Sequence, residues 1–331
     1  MASAAVDPVR ATPEAAPQPV AALGLGLACL AFALFSVMDA LVKWLSATYP
    51  VHQLVFANAA FALIPVLIWA RRDGGLRRLG TRRLGLQVLR GLCGMSAASL
   101  AFYAYSRMPL TDAYAIIFTT PLLITALSVP VLGERVGWRR WSAIAVGFAG
   151  VLVMLQPQGQ GIGAGALAAF GAACAAAVSI LVMRKLSTTE STASIALYSN
   201  LTIVLITGAA LGWHAVPPTL LDLVAMALAG LLGGVALIVL ISAYRLAPAA
   251  LVAPFQYGQM IWGALLGFLI WGHLPDGAVV VGATVVAASG LFILYRETTL
   301  GRRPTASLHP GAAPRAAVPA AEISPPSPRS R

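Results

Sequence analysis

The sequence predicts an all-α integral membrane protein of ten transmembrane helices, built as two inverted five-helix repeats. Three observations predict it. Of 331 residues, 59% are hydrophobic and only 10% charged, against roughly a quarter charged in an ordinary soluble domain. Apolar runs of about 20 residues recur along the chain, each long enough to cross a hydrocarbon core of ~30 Å. The two halves repeat one another with the basicity of their loops exchanged, as inverted repeats require.

Residues 1–19 are rich in Pro and Ala and read as a disordered leader. The run 20–46 is too long for a signal-peptide core and stays as span one. Further spans are expected at 52–70, 85–106, 110–132, 140–156, 163–184, 194–213, 220–244, 248–271 and 277–295. Met108-Pro109, Pro157 and Ala247-Pro248 mark the clearest breaks. The segment 298–331, rich in Pro, Ala and Arg, reads as a disordered tail. The units are then 20–156 for spans one to five and 163–297 for spans six to ten.

The loop RRDGGLRRLGTRR after span two carries six arginines, which places it, and both termini, in the cytoplasm. Arg135, Arg139, Arg140, Arg184, Lys185, Arg245 and Arg296 fall on the same side, whereas Arg107 and Lys43 oppose the rule. The net charge of +11 therefore reports orientation rather than a nucleic-acid face. Cys29, Cys93 and Cys174 lie singly in apolar runs and read as small buried hydrophobes. His52, His214, His273 and His309 lack a second ligand at suitable spacing, so neither a metal nor a cofactor is called for.

Tyr105, Pro109 and Gly133 recur as Tyr244, Pro248 and Gly272 at an offset of 139. Leu45, Ser46 and Thr48 recur as Leu186, Ser187 and Thr189 at 141. The basic loops RRDGGLRRLGTRR and GERVGWRRW correspond to the base-free WHAVPPTLLD and GHLPDG. Such inverted repeats place a site near the midplane, between the halves.

These motifs, Tyr105 with Pro109, Pro121, Gly133-Glu134, the GxxG at Gly147 and Gly150, then Pro248, Pro254, Gly272 and Gly290, resemble the drug/metabolite transporter superfamily, specifically proteins with two tandem EamA domains. The stretches MDALVKW, RGLCGM and APFQYGQMIWGALLG are similar to bacterial members that take up riboflavin or S-adenosylmethionine. The resemblance covers about residues 22–297. It implies a ten-helix fold, a central cavity and alternating access driven by a gradient or exchange. His273 departs from it, standing where many relatives carry an acid.

Asp39 lies ~10 Å from the expected outer end of span one, where a charge is costly. Lys43, one turn on, either neutralises it or snorkels to the interface, and Asp39 is open to substrate or proton binding. Asp112 starts span four, where a carboxylate favours the helix dipole; coupling is the other reading. Arg90 either snorkels or meets an anionic group of a substrate. Asn58, Tyr198, Asn200, Gln256 and Gln259 can orient a solute by hydrogen bonds or link helices. Gln256, Gln259, Gly263 and Gly267 share one side of span nine, a stripe that lipid would not reward. Tyr103, Tyr114, Phe118, Tyr257 and Trp262 offer rings for a flat heterocycle.

The function expected is a secondary transporter of the bacterial inner membrane moving a small neutral or zwitterionic metabolite, riboflavin- or S-adenosylmethionine-like. The alternatives are an exporter of amino acids or drugs, and, from other classes, a membrane-embedded enzyme or a channel, for which no catalytic constellation or filter signature recurs. The expected partners are a small-molecule solute and the bilayer; a homodimer is allowed and nucleic acid is excluded.

Overall fold

The computed structural model describes residues 18–72, 79–132, 137–155, 163–187, 189–247 and 252–300. Its α-helices are α1 (Gln18–Leu45), α2 (Val51–Arg72), α3 (Leu84–Arg107), α4 (Leu110–Ile117), α5 (Thr120–Leu132), α6 (Trp138–Leu155), α7 (Ala164–Leu186), α8 (Thr192–His214) and α9 (Leu220–Leu246). A 3₁₀ turn (Ala253–Tyr257) then leads into α10 (Gly258–Trp271), and α11 (Gly277–Leu300) follows. No strand occurs among the described residues, and eight segments are long and apolar enough to cross a membrane. Each expected span meets a helix whose ends differ from it by a few residues. Residues 18–19 and 298–300, assigned to the leader and tail, belong to α1 and α11; the rest of the leader and tail lies outside the described residues. So do Gly133, Glu134, Arg135, Pro157 and Pro248.

Spans four and nine depart from expectation in being broken. α4 stops at Ile117, four residues before Pro121, whose missing N–H leaves the Ile117 carbonyl without its helical donor. In hydrocarbon the carbonyls at the break need donors. Thr119 Oγ1 donates to the Ile116 carbonyl at 2.8 Å and Thr120 Oγ1 to that of Ile117 at 2.6 Å. The Ala253-Pro254 pair likewise opens the 3₁₀ turn before α10. α10 ends where Gly272 adopts φ +69°, a left-handed stop that glycine takes without a Cβ penalty.

Helix packing maps onto itself when spans one to five are exchanged with spans six to ten. α1 runs along α9 as α7 runs along α3, and α2 meets α9 as α8 meets α3. α2 with α8, and α6 with α11, are pairs that the exchange leaves unchanged. Gly150 and Gly282 face each other backbone to backbone at the α6–α11 crossing, the close approach that small residues give membrane helices. Large apolar residues such as Leu30, Ile64, Ile68, Leu205, Leu221 and Leu269 lie exposed on the outside, as lipid requires. Cys29 is also exposed, contrary to the buried reading, while Cys93 and Cys174 are half-buried.

The exposed bases Arg71, Arg72, Arg82, Arg83, Arg139, Arg184 and Lys185 define one end of the bundle, here the basic end. Hydrogen-bonded latches tie the two halves at both ends. At the base-poor end Gln53 Nε2 donates to the Val216 carbonyl at 2.8 Å while its Oε1 accepts from the Val216 N–H at 3.0 Å. Tyr49 Oη donates to Asp222 Oδ2 at 2.7 Å and accepts from the Thr219 N–H at 3.3 Å. At the basic end Glu190 Oε1 accepts from the Arg82 N–H at 3.1 Å, and Ser194 Oγ donates to the Leu79 carbonyl at 3.2 Å. Glu190 and Ser194 stand 141 positions after Tyr49 and Gln53, so equivalent positions of the halves supply both latches.

Gln53→Ala removes two hydrogen bonds from a buried amide and strands the Val216 backbone, a loss of about 2 kcal/mol. The detergent-solubilised protein then melts several degrees lower. An unchanged melting temperature for Gln53→Ala shows that the latch adds nothing to stability.

Candidate functional site

The polar centre of the bundle is a carboxylate enclosed by aromatic rings. Ser36, Asp39 and Lys43 recur at helical spacing on the inward face of α1, and Asp39 is 6% exposed. Tyr114 of α4, 2% exposed, donates its hydroxyl to Asp39 Oδ2 at 2.7 Å. The buried Tyr105 hydroxyl lies beside the same carboxylate. Tyr105 and Tyr114 meet edge to face with centroids 5.9 Å apart, Tyr114 stacks on Phe118 at 5.8 Å, and Phe118 meets Tyr257 edge-on at 5.6 Å. Phe118, at the end of α4 and four residues after Tyr114, falls on the same face as that ring.

The second half supplies the wall facing these rings. Gln259, Gly263 and Gly267 are buried on α10, while Ile261 on its other side is 73% exposed. The stripe thus turns away from lipid, with Gln256 preceding it in the 3₁₀ turn. A Cβ on Gly263 would come 2.7 Å from the Tyr114 ring, so the glycine is what admits that ring. Tyr257 carries its hydroxyl against Gly290 of α11. Trp262 is half-buried on the same helix.

Lys43 corrects one sequence expectation. It does not pair with Asp39; its Nζ donates to the carbonyls of Tyr105 and Met108, each at 2.7 Å, and lies 5.4 Å from the Trp271 ring centroid. The negative end of α3 thus holds the ammonium. Arg90 corrects another. Far from the aromatic centre, it enters the α7–α8 contact, donating to the Ile195 carbonyl at 3.2 Å, to Ser199 Oγ and to Met183 Sδ at 3.8 Å. It clamps helices near the basic end rather than reaching for the interface. Beside it, Gln87 is fully buried with both amide atoms unpaired among the described residues.

Other candidates make contacts of their own. Asn200 Nδ2 donates to the Ala196 carbonyl of its own helix at 3.0 Å, and the Tyr198 carbonyl accepts from Thr202 Oγ1 at 2.8 Å. Asn58 faces Gly230 and Gly233 of α9, close to Met38. Tyr103 carries the Arg107 guanidinium 5.2 Å above its ring. The sequence reading missed Ser36, and it used Tyr105 only as a repeat marker. The α1 spacing of Ser36, Asp39 and Lys43 was the signal for the first.

Residues 22–156 match the EamA-like transporter family. A riboflavin transporter of Rhizobium johnstonii is 32% identical over 305 residues, 91% of this chain and 97% of that protein. The chain belongs to the EamA-like transporter family. An S-adenosylmethionine uptake transporter of Rickettsia bellii is 27% identical over 278 residues, covering 83% of this chain and 94% of the relative. The pseudopaline exporter CntI of Pseudomonas aeruginosa is 30% identical over 273 residues, covering 80% and 94%. A crystal structure 19% identical in sequence superposes with a TM-score of 0.59 over 85% of this chain and 97% of its own, and so has the same fold. This EamA-family chain is therefore a multi-pass membrane protein whose relatives are transporters of small molecules.

Tyr114→Phe takes a hydrogen-bond donor from a buried carboxylate, a loss of about 1.5–3 kcal/mol. In a thermal-unfolding double-mutant cycle Asp39→Asn with Tyr114→Phe costs less than the sum of the single changes, because they remove one shared interaction. Strict additivity contradicts the Asp39–Tyr114 bond.

Proposed function

We propose that the chain is a secondary transporter of the bacterial inner membrane, moving a small neutral or zwitterionic organic metabolite by alternating access, without altering it chemically. The observation that carries this reading is the enclosure of Asp39. A carboxylate deep in a membrane bundle, held by tyrosine hydroxyls and ringed by aromatic faces, suits a cation or a flat heterocycle, or a proton exchanged with one. Two features support it: the site is assembled from both halves, and the helices beside it, α4–α5 and the 3₁₀ turn with α10, are interrupted as in transporter sites. In this reading Asp39, Tyr105, Tyr114, Phe118, Tyr257 and Gln259 meet the solute, and Lys43 positions the end of α3.

The repeat units in this proposal are residues 20–156 and 163–297, the basic end faces the cytoplasm, and both termini lie there. A homodimer is compatible with it. The name of the S-adenosylmethionine relative favours uptake of such a metabolite, and that of the riboflavin relative its transport. The pseudopaline relative favours a second reading, export through the same path.

Purified protein in proteoliposomes, tested with labelled S-adenosylmethionine and riboflavin under an imposed proton gradient, is expected to accumulate one of them unchanged. Asp39→Asn abolishes the gradient-driven accumulation while inserting into the membrane normally. Undiminished accumulation in Asp39→Asn removes the carboxylate from coupling, and failure of either solute to cross in either direction rejects both as substrates.

A further inference from the structure

At the base-poor end a cavity of about 230 Å³ opens between the halves, outside the aromatic centre. Its walls come from the α3–α4 corner (Arg107, Met108, Asp112) and, facing it, from Met154 of α6, Gly165 of α7 and Val279 of α11. Two opposite charges line it. Arg107 is exposed, with its guanidinium over the Tyr103 ring, leaving its N–H edge available to a planar anion. Asp112, half-buried in the first turn of α4, has an Oδ1 that is buried and without a partner among the described residues. Lys43, His273 and Asp276 are the charged or titratable groups near it from α1 and from the corner after α10. The thioethers of Met108 and Met154 are soft, polarizable surfaces between these charges.

We propose that this cavity is an entry subsite for the amino-acid head group of a zwitterionic solute, with Arg107 binding the carboxylate and Asp112 the ammonium. Neither charge alone selects such a group. A simple cation is repelled by Arg107 and a simple anion by Asp112, whereas a solute carrying both charges on one carbon satisfies the two residues together. The small volume suits the head group rather than a whole nucleoside, so the remainder of the solute extends toward the mouth or the aromatic centre. This deepens the transport reading by naming the class of solute, and it rests on that reading. It favours an amino-acid-bearing metabolite over a flavin, which has no such head group.

The test is equilibrium binding of labelled S-adenosylmethionine to the purified full-length protein, competed by unlabelled S-adenosylmethionine, by its decarboxylated and deaminated forms, and by riboflavin. The intact head group competes at least about tenfold better than either truncated form, as expected when one charge-assisted contact is lost. Arg107→Gln abolishes the preference over the decarboxylated form and Asp112→Asn that over the deaminated form. Arg107→Lys keeps part of the preference, and the variants melt as the parent does. Equal competition by the truncated forms, riboflavin competing as well as S-adenosylmethionine, no binding of the labelled probe, or retention of the parent pattern by both variants overturns the subsite. Binding with the expected pattern but no passage across a proteoliposome defeats the transport reading alone. Passage without discrimination between the head groups defeats the subsite alone.

Discussion

The bundle is built around the problem of keeping a carboxylate where water is scarce. An ionisable group at that depth costs several kcal/mol unless the protein supplies its partners. Asp39 obtains them from two different helices, Tyr105 near the end of α3 and Tyr114 in α4. For Tyr114 to reach α1, the facing helix must yield space, and Gly263 does so. Phe118 stands four residues after Tyr114, so the two rings stack along one helix face, just ahead of the break at Pro121. One buried acid thus accounts for a glycine on the opposite half.

The buried cations follow a different logic. Lys43 and Arg90 rest on backbone carbonyls, hydroxyls and a thioether, not on acids. A carbonyl left over at a helix end carries partial negative charge and needs a donor in any case. Lys43 meets that need for Tyr105 and Met108 at the end of α3, whereas the Ile195 carbonyl that Arg90 meets lies near the start of α8 and also accepts from Ser199 Oγ. The arrangement also leaves Asp39 free of a permanent counter-charge, which suits an exchangeable partner better than a salt bridge would.

Much of this was legible in the sequence because hydrocarbon imposes strict rules. Run length located the spans, and the buried stripe Gln259, Gly263 and Gly267 was visible from helical spacing alone. Asp39 and Tyr114 were both singled out, but their contact joins residues 75 positions apart and depends on packing that no local pattern encodes. The fate of Lys43 was hidden for the same reason, since i to i+4 spacing suggested Asp39 while the end of α3 lay closer in space. The break in span four had a local signal, Thr119-Thr120-Pro121, which was outweighed by the uninterrupted apolar run around it. Arg90 and Asn200 show the converse limit: a polar residue in a span can spend its hydrogen bonds on helix contacts or on its own backbone.

The interruption at residues 118–119 also bears on how stiff the chain is there. Bending a continuous helix in hydrocarbon breaks backbone hydrogen bonds that nothing nearby replaces, at several kcal/mol for each stranded group. Here the α-helical ladder is already interrupted: the Ile116 carbonyl accepts from the N–H and hydroxyl of Thr119, and the Ile117 carbonyl from the Thr120 hydroxyl. A change of angle between α4 and α5 can leave the number of satisfied groups the same. The resistance to that swing is set by repacking of Phe118 among Tyr114 and Tyr257, so the rings beside the carboxylate are also the ones that set the barrier for the joint.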